Sequence, residues 1–103
     1  MKSLSIVFAG LLVGGLSGTA SFAADLQHGK LLAERWCASC HLVAPEQRQA
    51  SADVASFAAI GRNRGLTADR LAFFLLDPHP AMPDMHLTRS EAQDLATYIK
   101  GLR

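Results

Sequence analysis

The stretch Leu32-Ala33-Glu34-Arg35-Trp36-Cys37-Ala38-Ser39-Cys40-His41 decides how this chain is read. Leu26, Gly29, Leu32, Ala33 and Trp36 recur at helical spacing behind Asp25, a good N-cap, so a helix is expected to run straight into the cysteines. Cys37 and Cys40 are the only two cysteines in the 103 residues. About one helical turn apart, they present their sulfurs on one side of the chain, and His41 continues round that turn. A disulfide between them would close so short a loop that it constrains the unfolded chain very little. A thioredoxin-like dithiol needs a βαβ setting, for which the chain has no strand pattern. A zinc site needs further ligands at zinc-finger spacing, which His79 and His86 do not offer. The pentapeptide Cys37-Ala38-Ser39-Cys40-His41 instead matches C-x-x-C-H, the attachment sequence of c-type haem. In that chemistry each thiol adds to a vinyl group of the macrocycle and the adjacent imidazole reaches the iron. Cys37 and Cys40 are therefore the candidate cofactor-binding residues, and His41 is a candidate metal ligand.

Upstream, residues 1–23 have the three parts of a secretory leader: Lys2, an apolar run from Leu4 to Leu16, and a small-residue end. Ser21 and Ala23 put small side chains at the two positions a signal peptidase inspects, so cleavage is expected after Ala23, with a mature domain from 24 to 103. The alternative, an uncleaved anchor, is disfavoured because the apolar run is shorter than the roughly 20 residues of a span and is broken by Gly10, Gly14, Gly15 and Gly18. The precursor's net charge is +1, and the leader carries one lysine, so the remaining 80 residues hold nine basic and nine acidic side chains. No basic excess is left to attract nucleic acid. A domain this small buries too little apolar surface to be stable without a supplement, and a covalent cofactor meets that need.

Downstream, no repeat and no period-2 alternation appears, so the fold class expected is all-α, with three to four helices wrapped around one haem. Residues 42 to 51 read as loop. A short helix is expected from Asp53 to Ile60, stopped by Gly61. A third starts at Thr67 as N-cap, with Leu71, Phe74 and Leu75 on its core face and Pro78 at its end. The loop from Asp77 to His86 follows. The last helix is opened by a capping box, Thr88-Arg89-Ser90-Glu91, and carries Ala92, Leu95, Ala96 and Ile99 on one face, extended by Tyr98 and Leu102.

With these residues in view, the mature chain resembles the class I, or mitochondrial-type, cytochrome c family in its short bacterial periplasmic form. The resemblance rests on Gly29 and Trp36, the motif at 37 to 41, Met82-Pro83 in the late loop, and Leu95-Ala96-Thr97-Tyr98-Ile99. It implies that the first and last helices cross with Gly29 against Tyr98, and that Met82 supplies the sulfur ligand opposite His41. It also implies single-electron transfer between a donor and an acceptor protein in the periplasm, by a carrier that is not itself an enzyme. One departure stands out. In the family a proline carbonyl some way past the motif receives the other ring N–H of the haem histidine. Here the nearest proline is Pro45, and the stretch from Asp53 to Phe57 has none.

Several residues carry two readings. Met85, His86 and His79 compete with Met82 for the iron, against packing at a haem edge for Met85 and solvent exposure for the histidines. His28 reads as a surface residue of the first helix. Trp36, Phe57, Phe74 and Tyr98 read as core. Arg62 and Arg64 flank the loop before Gly65 and suit either haem propionates or solvent. Two further functions stay open beside the free carrier: a small-ligand sensor in which the methionine is displaced, and a dedicated cytochrome subunit of a larger oxidoreductase.

Overall fold

The computed structural model describes residues 23–51 and 53–102, together with four isolated glycines of the leader. The expected leader, apart from those glycines and Ala23, lies outside the described residues. Four helices follow in order: α1 (Leu26–Trp36), α2 (Phe57–Arg62), α3 (Ala68–Leu76) and α4 (Arg89–Gly101), with no strand among the described residues.

Each start is set by a side-chain cap that satisfies an otherwise unpaired backbone donor. Asp25 accepts from the His28 N–H, Ser56 from Ala59, Thr67 from Arg70, and Thr88 from Glu91. At α4 the Glu91 carboxylate returns a bond to the Thr88 N–H at 2.8 Å, completing the capping box expected from the sequence.

Helix α4 is the hub and packs against α1, α2 and α3. Its face of Ala92, Leu95, Ala96 and Ile99 is almost wholly removed from water, as the heptad-like spacing requires. The α1 crossing is made at Gly29, where an added Cβ would meet the Asp94 carbonyl and would lie 2.9 Å from Tyr98 Cβ. The expected meeting of Gly29 with Tyr98 is therefore present, and it lets the two backbones approach to a distance no side chain at 29 permits.

The second helix differs from expectation at both ends. It begins at Phe57, behind the Ser56 cap, and runs through Gly61 to Arg62. Gly61 does not stop it. Its missing side chain admits the C-terminal turn of α4, because a Cβ there would collide with the carbonyls of Ile99 and Leu102. In α3, Leu71, Ala72 and Leu75 form the buried face, whereas Phe74, expected in the core, is 53% exposed.

Candidate haem site

Helix α1 delivers the motif as the sequence suggests. Cys37 is its C-cap and donates to the Ala33 carbonyl at 2.9 Å, while the Cys40 and His41 N–H groups both return to the Cys37 carbonyl at 3.1 and 2.8 Å. The chain thus stays wound through residues 37–41, with Cys37 buried and Cys40 half-buried. Both are free thiols. Burial, with a smaller contribution from Cys40, pushes the Cys37 thiol up to about 11. Redox-active dithiols depend on the opposite shift, because the thiolate is the reactive species. Among the described residues no group of three or more His, Cys, Asp or Glu is arranged to hold a metal ion.

The ring of His41 is fixed from behind. Its Nδ1 lies 2.7 Å from the Ala55 carbonyl oxygen, and Phe57 packs beside it with ring centroids 5.3 Å apart. A bond from Nδ1–H to that carbonyl fixes the tautomer and leaves Nε2 as the free lone pair, the arrangement a metal-binding imidazole needs. The orienting carbonyl therefore belongs to Ala55, within the stretch that lacks a proline, and not to Pro45. Nothing in the sequence marks it, since a carbonyl is common to every residue.

Two apolar cavities adjoin His41. The larger, about 620 Å³, is lined by His41, Phe74, His79, Met82 and residues of α3 and α4. The smaller, about 200 Å³, is lined by Cys37, Cys40, His41, Trp36, Met82 and Met85 among others. His41, His79 and Met82 line both. Met85 lines only the smaller. His86 is held elsewhere: its backbone has φ 53°, its N–H donates to Asp84 Oδ1 at 2.8 Å, and its side chain is 87% exposed. The expected core residues Trp36 and Phe74 are exposed, Trp36 at the wall of the smaller cavity and Phe74 at the wall of the larger.

The residues present fit a covalently held haem. Two thiols, an imidazole with one nitrogen already engaged, and a thioether converge on adjoining apolar space, which suits a macrocycle better than a compact hydrated ion. A third cavity, about 630 Å³ and lined by Arg62, Arg64 and Lys100, shares Leu66 with the larger apolar one and offers cationic partners for propionate groups. Lys100 is anchored there by bonds from Nζ to the Gly61 and Asn63 carbonyls at 3.0 and 2.7 Å.

One side chain read as surface has a structural role. His28 Nδ1 lies 2.8 Å from Asp94 Oδ2, and the Asp25 N–H donates to Asp94 Oδ1 at 2.7 Å, so a buried carboxylate of α4 ties down the start of α1. The hydrogen bond to Asp94 raises the His28 pKa above its ordinary value, against a smaller opposing effect of desolvation, and the charges of Asp94, Asp25 and Glu91 act in the same direction as the bond.

The family model described as "Cytochrome C oxidase, cbb3-type, subunit III" matches residues 24–99. A protein named cytochrome c-552 from Bradyrhizobium diazoefficiens is 56% identical over 87 residues, which cover 84% of each chain. No solved structure matches.

Proposed function

The chain belongs to the cytochrome c family, and from that membership we propose that it is an exported carrier of single electrons between redox proteins. Its haem would be bound through thioether links to Cys37 and Cys40. When bound, the haem supplies the one-electron ferric/ferrous chemistry, and the protein supplies ligand identity, burial and orientation. His41, with Nδ1 engaged by the Ala55 carbonyl, would offer Nε2 to the iron, and Met82 would offer its sulfur. A methionine opposite a histidine raises the reduction potential, which suits a carrier.

The observation that carries this reading is that Met82 and His41 line the same two cavities although they come from segments some forty residues apart. Met82 is also fenced by Pro80 and Pro83, which restrict the backbone before and after it. The leader would be removed after Ala23 and the mature domain would work in the periplasm; the family match beginning at residue 24 supports that boundary. Among the described residues no helix is long and apolar enough to cross a membrane. The partners would be a donor and an acceptor protein, with no nucleic acid.

A ferrous spectrum with and without carbon monoxide tests the reading. An unchanged spectrum fits a carrier with both axial positions filled, and rapid formation of a carbonyl adduct would make the chain a ligand binder instead. The description of the matching family favours one second reading, a dedicated subunit of an oxidoreductase, and stable co-purification with a catalytic chain would establish it.

A further inference from the structure

Behind the motif the chain folds into a loop held by a single carboxamide. Gln47 Nε2 reaches the carbonyls of Ala38 at 2.8 Å, His41 at 2.9 Å and Gln49 at 3.0 Å, while its Oε1 accepts from the Val43 N–H at 2.8 Å. Its two N–H groups are thus divided among three carbonyls, two of which lie inside the Cys-x-x-Cys-His segment. The same segment is pinned further along. Ser39 O accepts from both the N–H and the hydroxyl of Ser51, Leu42 O accepts from the Phe57 N–H at 2.9 Å, and the fully buried Val43 receives the Tyr98 hydroxyl on its carbonyl at 2.6 Å.

These bonds close a loop that fixes the placement of two irregular segments, one carrying His41 and one carrying Ala55. The imidazole is aimed by both: its backbone is fixed at N by Cys37 and at C=O by Gln47, and its ring is fixed by the Ala55 carbonyl. We propose that Gln47 is a positioning residue for His41, holding the motif backbone in the register at which Nδ1–H meets the Ala55 carbonyl and thereby setting the basicity of the iron ligand. The proposal rests on the reading of His41 as the haem histidine.

A structural loop residue would affect stability alone. A positioning residue also changes the ligand, because an imidazole whose Nδ1–H bond is well made is a stronger donor and favours the ferric state. Gln47→Met keeps the length and volume of the side chain and removes every hydrogen bond. In the haem-loaded protein this substitution is expected to speed exchange of the His41 Nδ1 proton about tenfold, the factor a hydrogen bond of ordinary net strength supplies. It is also expected to raise the reduction potential, by up to about 59 mV, the equivalent of a tenfold change in a one-electron equilibrium. Haem content should stay at wild-type level. Wild-type exchange and wild-type potential in haem-loaded Gln47→Met would overturn the proposal.

Gln47→Glu gives an independent test if the methionine variant fails to accumulate. Protonated, the carboxyl still donates once and accepts once; ionised, it only accepts and faces three carbonyls. The exchange rate of the His41 ring proton relative to wild type at the same pH should then be near one below the carboxyl's titration and higher above it, and a ratio that stays constant across that titration would overturn the proposal. Wild-type protein carrying no covalent haem would instead overturn the functional reading on which the proposal rests, so the two failures are distinguishable.

Discussion

Gly29 on α1 lies so close to α4 that its Cα faces the Asp94 carbonyl with no room for a methyl group. This crossing joins the helix that delivers the motif to the helix that forms the hub of the core, so its closeness governs how firmly the site is held.

Gly29→Ala is accordingly expected to destabilise the haem-loaded protein by about 1–3 kcal/mol, the usual cost of overpacking a well-packed contact. Gly61→Ala should act similarly, since its Cβ would collide with backbone carbonyls of Ile99 and Leu102. Gly101→Ala is the control: nothing lies within 4 Å of a Cβ there, and alanine's better helix propensity should leave stability equal or raised by up to about 1 kcal/mol. Denaturant midpoints at constant m-value check all three, and equal stability of Gly29→Ala and wild type would mean the helices cross elsewhere.

The His28 to Asp94 pair makes stability depend on pH. Because its partner raises the folded-state pKa of His28, the folded chain holds this proton more tightly than the unfolded chain does. The stabilisation is fully present below the unfolded value near 6.5 and is lost as pH rises through the higher folded value. The unfolding midpoint should therefore fall with rising pH across that window, and His28→Gln should flatten this part of the profile. Superimposable profiles for wild type and variant would remove the pair from the account.

Much of this was legible in the residues themselves. The stripe from Gly29 to Ala33, the caps at Asp25, Thr67 and Thr88, and the face from Ala92 to Ile99 are signalled by side-chain type at fixed spacing, and they form as read. Gly61 was open to two physical readings, a helix stop or a close approach, and only the position of α4 decides between them. Ser56 ahead of Phe57 was a usable cap signal for the true start of α2. Asp94 carried no signal, because its burial depends on partners remote in sequence, and Gln47 carried none because its partners, though near in sequence, are backbone groups common to every residue. Phe74 and Trp36 were expected in the core and instead face cavities, since around a cofactor the wall and the core are the same surface.

The axial ligand is tested by a pair of substitutions. Met82→Ala should abolish the weak ferric band at the red end of the spectrum that reports sulfur–iron bonding, lower the reduction potential and open the iron to carbon monoxide. Met85→Ala should leave all three nearly unchanged, as its side chain lines only the smaller cavity. Loss of the band in Met85→Ala with its retention in Met82→Ala would reverse the assignment. If the band is missing from wild type, His79, which also lines both cavities, becomes the better ligand, whereas its survival in both single variants would mean that either methionine can reach the iron.

Removal of the attachment sites tests how far the cofactor serves as core. Cys37→Ala combined with Cys40→Ala is expected to leave a largely unfolded chain, because a domain of this size lacks the apolar burial to stand unsupported. Circular dichroism is the readout, and full native helicity in the haem-free double variant would contradict the expectation.

The central claim, an exported chain carrying one covalent haem, is tested most directly by the intact mass of the wild-type protein recovered from the periplasm and denatured before measurement. The account predicts a single species with the mass of residues 24 to 103 plus one haem, retained through denaturation because both thioethers are covalent. A mass equal to the bare polypeptide, or to the polypeptide less two hydrogens as a Cys37 to Cys40 disulfide would give, would contradict it.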